Sequence, residues 1–300
     1  MWPKPATITA ASVKKNNVIM DYYSDNELVR PNIALGQHFL VDLNIARNIV
    51  EALDKSHQLV IEVGAGMGVL TQYLIKEQLE KLQVVEIDTE SVCYLKKKFP
   101  MLDGHLISGD FLKTKIDELA ASNNASDVAV IGNFPYNISS QIFFQILKYR
   151  DLVSESVGMI QKEVAERLAA APGCKAYGIL TVLVQLYYHV EYLFTVEPGV
   201  FNPPPKVRSA VVRLVRNDVQ KPDCDEQLLT RVVKTTFNQR RKMMRGSIRP
   251  LLAELDTKWE PLQKGHADFL ATPLMTKRPE QLSLQEFIEL TNRVSELYQH

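Results

Sequence analysis

Cysteine is scarce: Cys93, Cys174 and Cys224 are the only three in 300 residues. They lie far apart and are odd in number, which excludes a disulfide framework and gives no metal-ligand spacing. No metal is expected, and a reducing, cytoplasmic location is. Net charge is also missing, since 35 Lys and Arg balance 35 Asp and Glu. No global basicity advertises a nucleic acid, so any such surface has to be local. No apolar run approaches the length of a membrane span, and no charged-then-apolar start resembles a signal peptide. No internal repeat is visible. What is present is a hydrophobic content of 46%, ample for a core. The length suits one large domain, or a main domain with a small one.

Residues 1–27 are polar and aperiodic and read as a disordered extension. A helix follows Asp42, with Ile45, Ala46, Ile49, Val50 and Leu53 on one face and Asp42 as its N-cap. Further on, the apolar run Val128-Ala129-Val130-Ile131 reads as a buried strand, and Gln141 to Leu147 as a helix. Asn133-Phe134-Pro135-Tyr136 therefore falls at a strand-to-helix turn on the carboxyl side of a sheet, where open α/β folds keep their chemistry. Asn133 offers an acceptor and a donor. Pro135 fixes φ, and Tyr136 supplies a flat face. The set suits an exocyclic amine on an aromatic base, and on its own it equally reads as a turn with a packing Tyr.

A nucleotide-type βα unit precedes it. Leu59 to Val63 is a strand that opens into Gly64-Ala65-Gly66-Met67-Gly68 and then a helix over Val69–Glu77. The glycine spacing differs from the pyrophosphate fingerprint of dehydrogenases, and Glu62 stands inside the strand just before the first glycine. A second strand ends at Glu86, which reads as a solvated strand-end carboxylate or, after such a glycine loop, as the acid that meets a ribose diol. A third ends at Gly109-Asp110, and from its position alone Asp110 reads as a helix cap.

Two later stretches carry charge. The loop Val200-Phe201-Asn202-Pro203-Pro204-Pro205-Lys206-Val207-Arg208 is stiffened by proline and flanked by Lys206 and Arg208. Alone it reads as a surface loop with a packing Phe. With Tyr136, Phe201 at its rim would sandwich a flipped base. Beyond a break at Asn217–Asp223 the chain turns helical. Residues Arg231 to Arg249 are basic and free of acids, and include Arg240, Arg241, Lys242 and Arg245. Ser283 and Glu286 form a capping box for the last helix.

Asn133-Phe134-Pro135-Tyr136-Asn137-Ile138-Ser139 resembles the rRNA adenine dimethyltransferase family. So do Gly36-Gln37-His38-Phe39-Leu40, Gln161-Lys162-Glu163-Val164-Ala165-Glu166-Arg167 with Tyr177-Gly178, and Phe237-Asn238-Gln239-Arg240-Arg241-Lys242. The proline loop and the Phe237 segment resemble its small-subunit branch rather than the large-subunit resistance enzymes. The resemblance implies an α/β, Rossmann-like S-adenosylmethionine-dependent methyltransferase sheet over 28–217. It implies a small helical RNA-binding domain over 223–300. The reaction implied is N6,N6-dimethylation of two adjacent adenosines in the 3′-terminal hairpin loop of small-subunit rRNA, with a role in subunit biogenesis. The cofactor residues implied are His38, Leu40, Glu62, Gly64, Gly66, Glu86, Asp110 and Asn133. Asn133, Pro135, Tyr136 and Phe201 would carry the chemistry. Lys206, Arg208, Arg240, Arg241, Lys242 and Arg245 would contact RNA. The partners implied are the rRNA and the pre-30S particle, with a monomeric enzyme and no membrane. A non-catalytic assembly factor is the rival from another class, and a nicotinamide dehydrogenase a remote third.

Overall fold

The computed structural model describes residues 29–32, 35–257 and 265–298; the extension read over 1–27 lies outside them. In chain order the elements are β1 (Phe39–Leu40), α1 (Leu43–Glu51), β2 (Leu59–Val63), α2 (Thr71–Gln78), β3 (Leu82–Glu86), α3 (Thr89–Lys98), β4 (Leu106–Ser108), α4 (Ile116–Ser122), β5 (Val128–Asn133), α5 (Ser139–Lys148) and β6 (Val153–Gln161). Then come α6 (Lys162–Leu168), α7 (Ile179–Gln185), β7 (Tyr188–Val196), β8 (Phe201–Asn202), β9 (Ser209–Arg216), α8 (Glu226–Asn238), α9 (Met244–Ser247), α10 (Arg249–Asp256), α11 (Gly265–Leu270) and α12 (Leu284–Glu296). The chain forms two compact units. One holds the described residues up to Ala165 with His189–Arg216; the other holds Glu166–Tyr188 and the described residues from Asn217 on.

The first unit is built on a seven-stranded sheet in the order β4-β3-β2-β5-β6-β9-β7. β2, β3, β4, β5 and β6 pair in parallel, and β9 joins β6 antiparallel. All five residues of β2 and of β3 are buried. That is why these strands read as continuous apolar runs rather than alternating ones: helices cover both faces of a parallel sheet. The chain steps outward from β2 through β3 to β4, then returns to place β5 on the other side of β2. The crevice beyond the carboxyl ends of β2 and β5 is therefore the point where strand order reverses.

Local chemistry sets the ends. Asp42 Oδ1 accepts the amides of Asn44 and Ile45, as an N-cap does. The helix read from Val69 starts instead at Thr71, because residues 67–70 are spent on the turn that leaves the glycine loop. Phe134 is fully buried, and Gly158 on the neighbouring strand makes room for it. A Cβ at Gly158 would lie 2.4 Å from the Phe134 ring, a clash that a packed core does not absorb.

The second unit is helical. Asp225 caps α8, and Ser283 and Glu286 exchange the two bonds of a capping box at α12. Phe237 of α8 stacks on Phe287 of α12 with centroids 5.8 Å apart, and Tyr177 lies 6.1 Å from Phe237. The break in composition at Asn217–Asp223 marks where the chain leaves the sheet. It does not reveal that Glu166–Tyr188 belongs with the later helices, because that grouping comes from burying Tyr177 against Phe237.

Candidate active site

The carboxyl ends of β2, β3 and β5 open on a cleft lined by the His38 segment, the glycine loop, Glu62, Glu86, Asp110 and the Asn133–Tyr136 turn. All of it lies in the first unit. The glycine loop lies tight beneath the His38 segment. Gly66 has φ +55, and a Cβ there would sit 2.8 Å from the Phe39 ring. Only glycine meets both demands.

Three carboxylates face or flank the cleft. Glu62 is 1% exposed. Its Oε2 and the Thr71 Oγ1 beside it are buried and without a hydrogen-bond partner of good geometry. Burial pushes the Glu62 carboxyl up to about 8, and the nearby Glu86 charge adds to this; Thr71 offsets it only in part. Glu86, at the end of β3, accepts the Gly66 amide at 2.8 Å and the Asp88 amide at 2.9 Å. Burial also raises its carboxyl, against the pull of these amides. Each oxygen keeps a second lone pair on which a donor can land. Asp110 Oδ1 caps Leu112 at 2.9 Å, so the cap reading holds and occupies one of the two carboxylate oxygens. The sequence did not single out Ile87. It is 49% exposed and lines the cleft next to Glu86; in the sequence it only continues the apolar run of β3, so nothing there marks it.

The turn after β5 is held from several directions. Asn133 Nδ2 donates to the His38 carbonyl at 2.9 Å. Only the amide nitrogen can donate to a carbonyl, so Oδ1 is left to accept. His38 Nδ1 lies 2.9 Å from the Pro203 carbonyl and must carry the proton there. Its ring sits 5.4 Å from Tyr136 at 31°. The Tyr136 and Ser209 hydroxyls share a 2.5 Å hydrogen bond. The Pro135 carbonyl already accepts the Ile138 amide at 3.2 Å, leaving it one lone pair. β1 and β8 pair antiparallel, Leu40 opposite Phe201. This two-residue ribbon brings the His38 segment to the proline loop across more than 160 residues of chain.

Two residues sit differently from the sequence reading. Phe201 is 4% exposed and packs in the hydrophobic core with Leu40. It is not at a rim, because its pairing with Leu40 turns the ring inward; the packing Phe is the correct reading of that position. Leu40 is itself 1% exposed, so it borders the cleft as part of the core. Lys206 and Arg208 are exposed in the loop before β9, and Arg208 lies 3.8 Å from Glu197. In the second unit Arg240 is tied to its own fold through the Cys174 carbonyl and Glu280. Arg241, Lys242 and Arg245 project into solvent.

A second polar cluster was missed altogether. His57 is buried between Asp127, 2.8 Å from Nδ1, and Glu155, 2.6 Å from Nε2. Arg213 reaches Glu155 at 2.5 Å. Burial opposes the charged ring, but bonds to Glu155 and Asp127 outweigh it and raise the His57 pKa. Burial likewise opposes the Glu155 charge, and His57 and Arg213 outweigh it, holding that carboxyl below its ordinary value. The cluster lies at the amino ends of β2 and β5, away from the cleft.

The family model for ribosomal RNA adenine dimethylase matches residues 29–291. The chain belongs to that family. A ribosomal RNA small subunit methyltransferase A from Bacteroides thetaiotaomicron is 53% identical over 271 residues, 90% of this chain and 96% of that one. The protein of the same name from Cytophaga hutchinsonii is 49% identical, over 90% and 99% of the two chains. Among solved structures, a dimethyladenosine transferase from Plasmodium falciparum matches with TM-score 0.72 at 27% identity, over 86% of this chain and 98% of that one. The 23S rRNA methyltransferase ErmE matches in fold, with TM-score 0.57 at 24% identity over 85% and 99%. As a ribosomal RNA adenine dimethylase the protein is a methyltransferase, and its cofactor is S-adenosylmethionine. The cleft fits that cofactor. An unpartnered buried carboxylate oxygen and a cluster of acids suit a cationic ligand rich in hydroxyls and would repel a pyrophosphate. Among the described residues no helix is long and apolar enough to cross a membrane.

Proposed function

We propose that this dimethylase acts on two adjacent adenosines in the 3′-terminal hairpin loop of small-subunit rRNA, and so takes part in maturing the pre-30S particle in the cytoplasm as a monomer. The observation that carries the substrate class is the 49–54% identity to relatives named for the small subunit, over 88% or more of this chain. Hairpin-loop bases suit the cleft, since they leave their stack more readily than duplex bases.

Each residue then has a role. Glu62, the Gly64–Gly66 loop, Glu86 and Asp110 hold the cofactor, with His38 and Leu40 closing over it. When bound, S-adenosylmethionine supplies an electrophilic methyl on a sulfonium. Asn133 Oδ1 and the remaining lone pair of the Pro135 carbonyl accept the hydrogens of the adenine amine. That draws the nitrogen lone pair out of conjugation with the ring and aims it. Tyr136 carries the base on its face, a contact of about 1–3 kcal/mol. Phe201 supports the site from the core, through the ribbon that holds His38. Positioning of this kind can supply most of the rate, so no side chain need act as a general base; the alkylated amine is acidic enough to lose its proton to water. Lys206 and Arg208 in the first unit, and Arg241, Lys242 and Arg245 in the second, meet phosphates, with Arg240 shaping the turn that bears the last three.

The test is incubation with S-adenosylmethionine and unmethylated small subunits, and separately with large-subunit RNA, followed by nucleoside mass analysis. Dimethyladenosine in the small subunit alone is expected. Product in large-subunit RNA would overturn the substrate assignment. Near-normal rates from Asn133→Ala at saturating cofactor would overturn the role of Asn133.

A further inference from the structure

We propose that Ser209 is a positioning residue for the methyl transfer: its hydroxyl fastens the far end of the Tyr136 ring and so holds the base-accepting face in its working orientation before RNA arrives. The inference rests on the reading of Tyr136 as the platform for the target base.

Ser209 opens β9 and has no exposed surface. It stands opposite Gln161 in the antiparallel pair with β6, so its position is set by the sheet. The other wholly buried side chains of β9 are Ala210, Val211, Val212 and Leu214. A hydroxyl at the head of that apolar row is not needed for packing. Its partner is the Tyr136 hydroxyl, 2.5 Å away. Burial keeps that phenol protonated by raising its pKa, so the pair remains donor and acceptor across the working pH range.

A tyrosine ring hinges on two bonds near the backbone, and its outer end sweeps the widest arc. Here the inner end is set by the turn, where the Ile138 amide meets the Pro135 carbonyl. One side of the ring rests against His38. The bond to Ser209 removes the remaining freedom at the outer end. Holding a reacting base to within an ångström is worth orders of magnitude in rate, and a platform already in place loses less entropy when the base binds.

The test uses the full-length protein, single-turnover methylation of unmethylated small subunits, and cofactor affinity by titration. Ser209→Ala is expected to slow methylation by roughly 10- to 100-fold while cofactor affinity stays within about two-fold. Tyr136→Phe keeps the ring and removes the same bond from the other side, and is expected to slow it similarly. In the Tyr136→Phe background, Ser209→Ala should add less than a two-fold further loss, because the shared bond is already gone. Full activity in either single variant overturns the proposal. So does an undiminished effect of Ser209→Ala in the Tyr136→Phe background, which would mean that Ser209 acts on the fold independently. If Ser209→Ala does not fold, Tyr136→Phe alone decides, since it leaves the strand intact. Tyr136→Ala separates the two levels of the argument. Retained activity there would remove the platform reading itself. Lost activity there with an active Tyr136→Phe would remove only the role of Ser209.

Discussion

Glu62→Gln should make the ligand-free protein more stable in mild alkali, although it removes a residue of the binding cleft. The Glu62 carboxyl is 1% exposed, and burial lifts it from the ordinary 4.5 to about 8. In the unfolded chain it ionises near its ordinary value. Below that value both states hold the proton and the residue is neutral to stability. As pH rises from there towards 8, only the unfolded state releases its proton and gains, so the folded state loses ground steadily. At about 1.4 kcal/mol per pH unit, the gap bounds the loss at about 5 kcal/mol. A glutamine carries no charge and escapes it. The assay is urea unfolding of both proteins without cofactor, at about pH 5, 7 and 8.5. The curves should nearly coincide at the lowest pH and separate as pH rises, with the glutamine variant ahead. Saturating S-adenosylmethionine should close the gap if Glu62 holds the cofactor as proposed, since a cation beside it would favour the carboxylate. Parallel pH–stability curves for the two proteins would refute the reasoning.

The His57 cluster has two edges. The raised His57 pKa gives stability that is present below the ordinary 6.5 and lost as pH climbs through the raised value. The lowered Glu155 pKa gives stability that is present above 4.5 and lost as pH falls through the lowered one. His57→Ala should therefore cost most, roughly 3 kcal/mol, between those limits; a pH-independent loss in urea unfolding would contradict this. Gly158→Ala places a methyl 2.4 Å from the fully buried Phe134 ring and should lower stability by about 1–3 kcal/mol or more, read as a falling melting temperature. A melting temperature equal to wild type would show that Phe134 can move. Arg241→Ala, Lys242→Ala and Arg245→Ala should each flatten the salt dependence of RNA binding, by up to about 0.7 in the logarithmic slope. Arg240→Ala should act through stability as well, because Arg240 is bonded to Cys174 and Glu280. An unchanged slope in all three surface variants would move the RNA contact elsewhere.

The sequence by itself determined the elements and their chemistry. Parallel strands buried on both faces must read as apolar runs, so β2, β3 and β5 were legible, and so were the acids and the turn at their carboxyl ends. Asp42, Ser283 and Glu286 were legible as caps because capping is chemistry between residues a few positions apart. The tertiary structure alone decided what long-range pairing controls. The two-residue β1–β8 ribbon is too short to show any periodicity, yet it turns Phe201 inward and brings His38 to Pro203. Tyr136 meets Ser209 only because β9 returns beside β6. His57, Asp127, Glu155 and Arg213 are scattered through the chain and look like ordinary surface polar residues until the sheet brings them together and buries His57 and Glu155. Glu166–Tyr188 joins the later helices through a ring-to-ring contact that composition does not record. Local signals report which element a residue builds, whereas a residue's neighbours across the fold are set by how those elements stack.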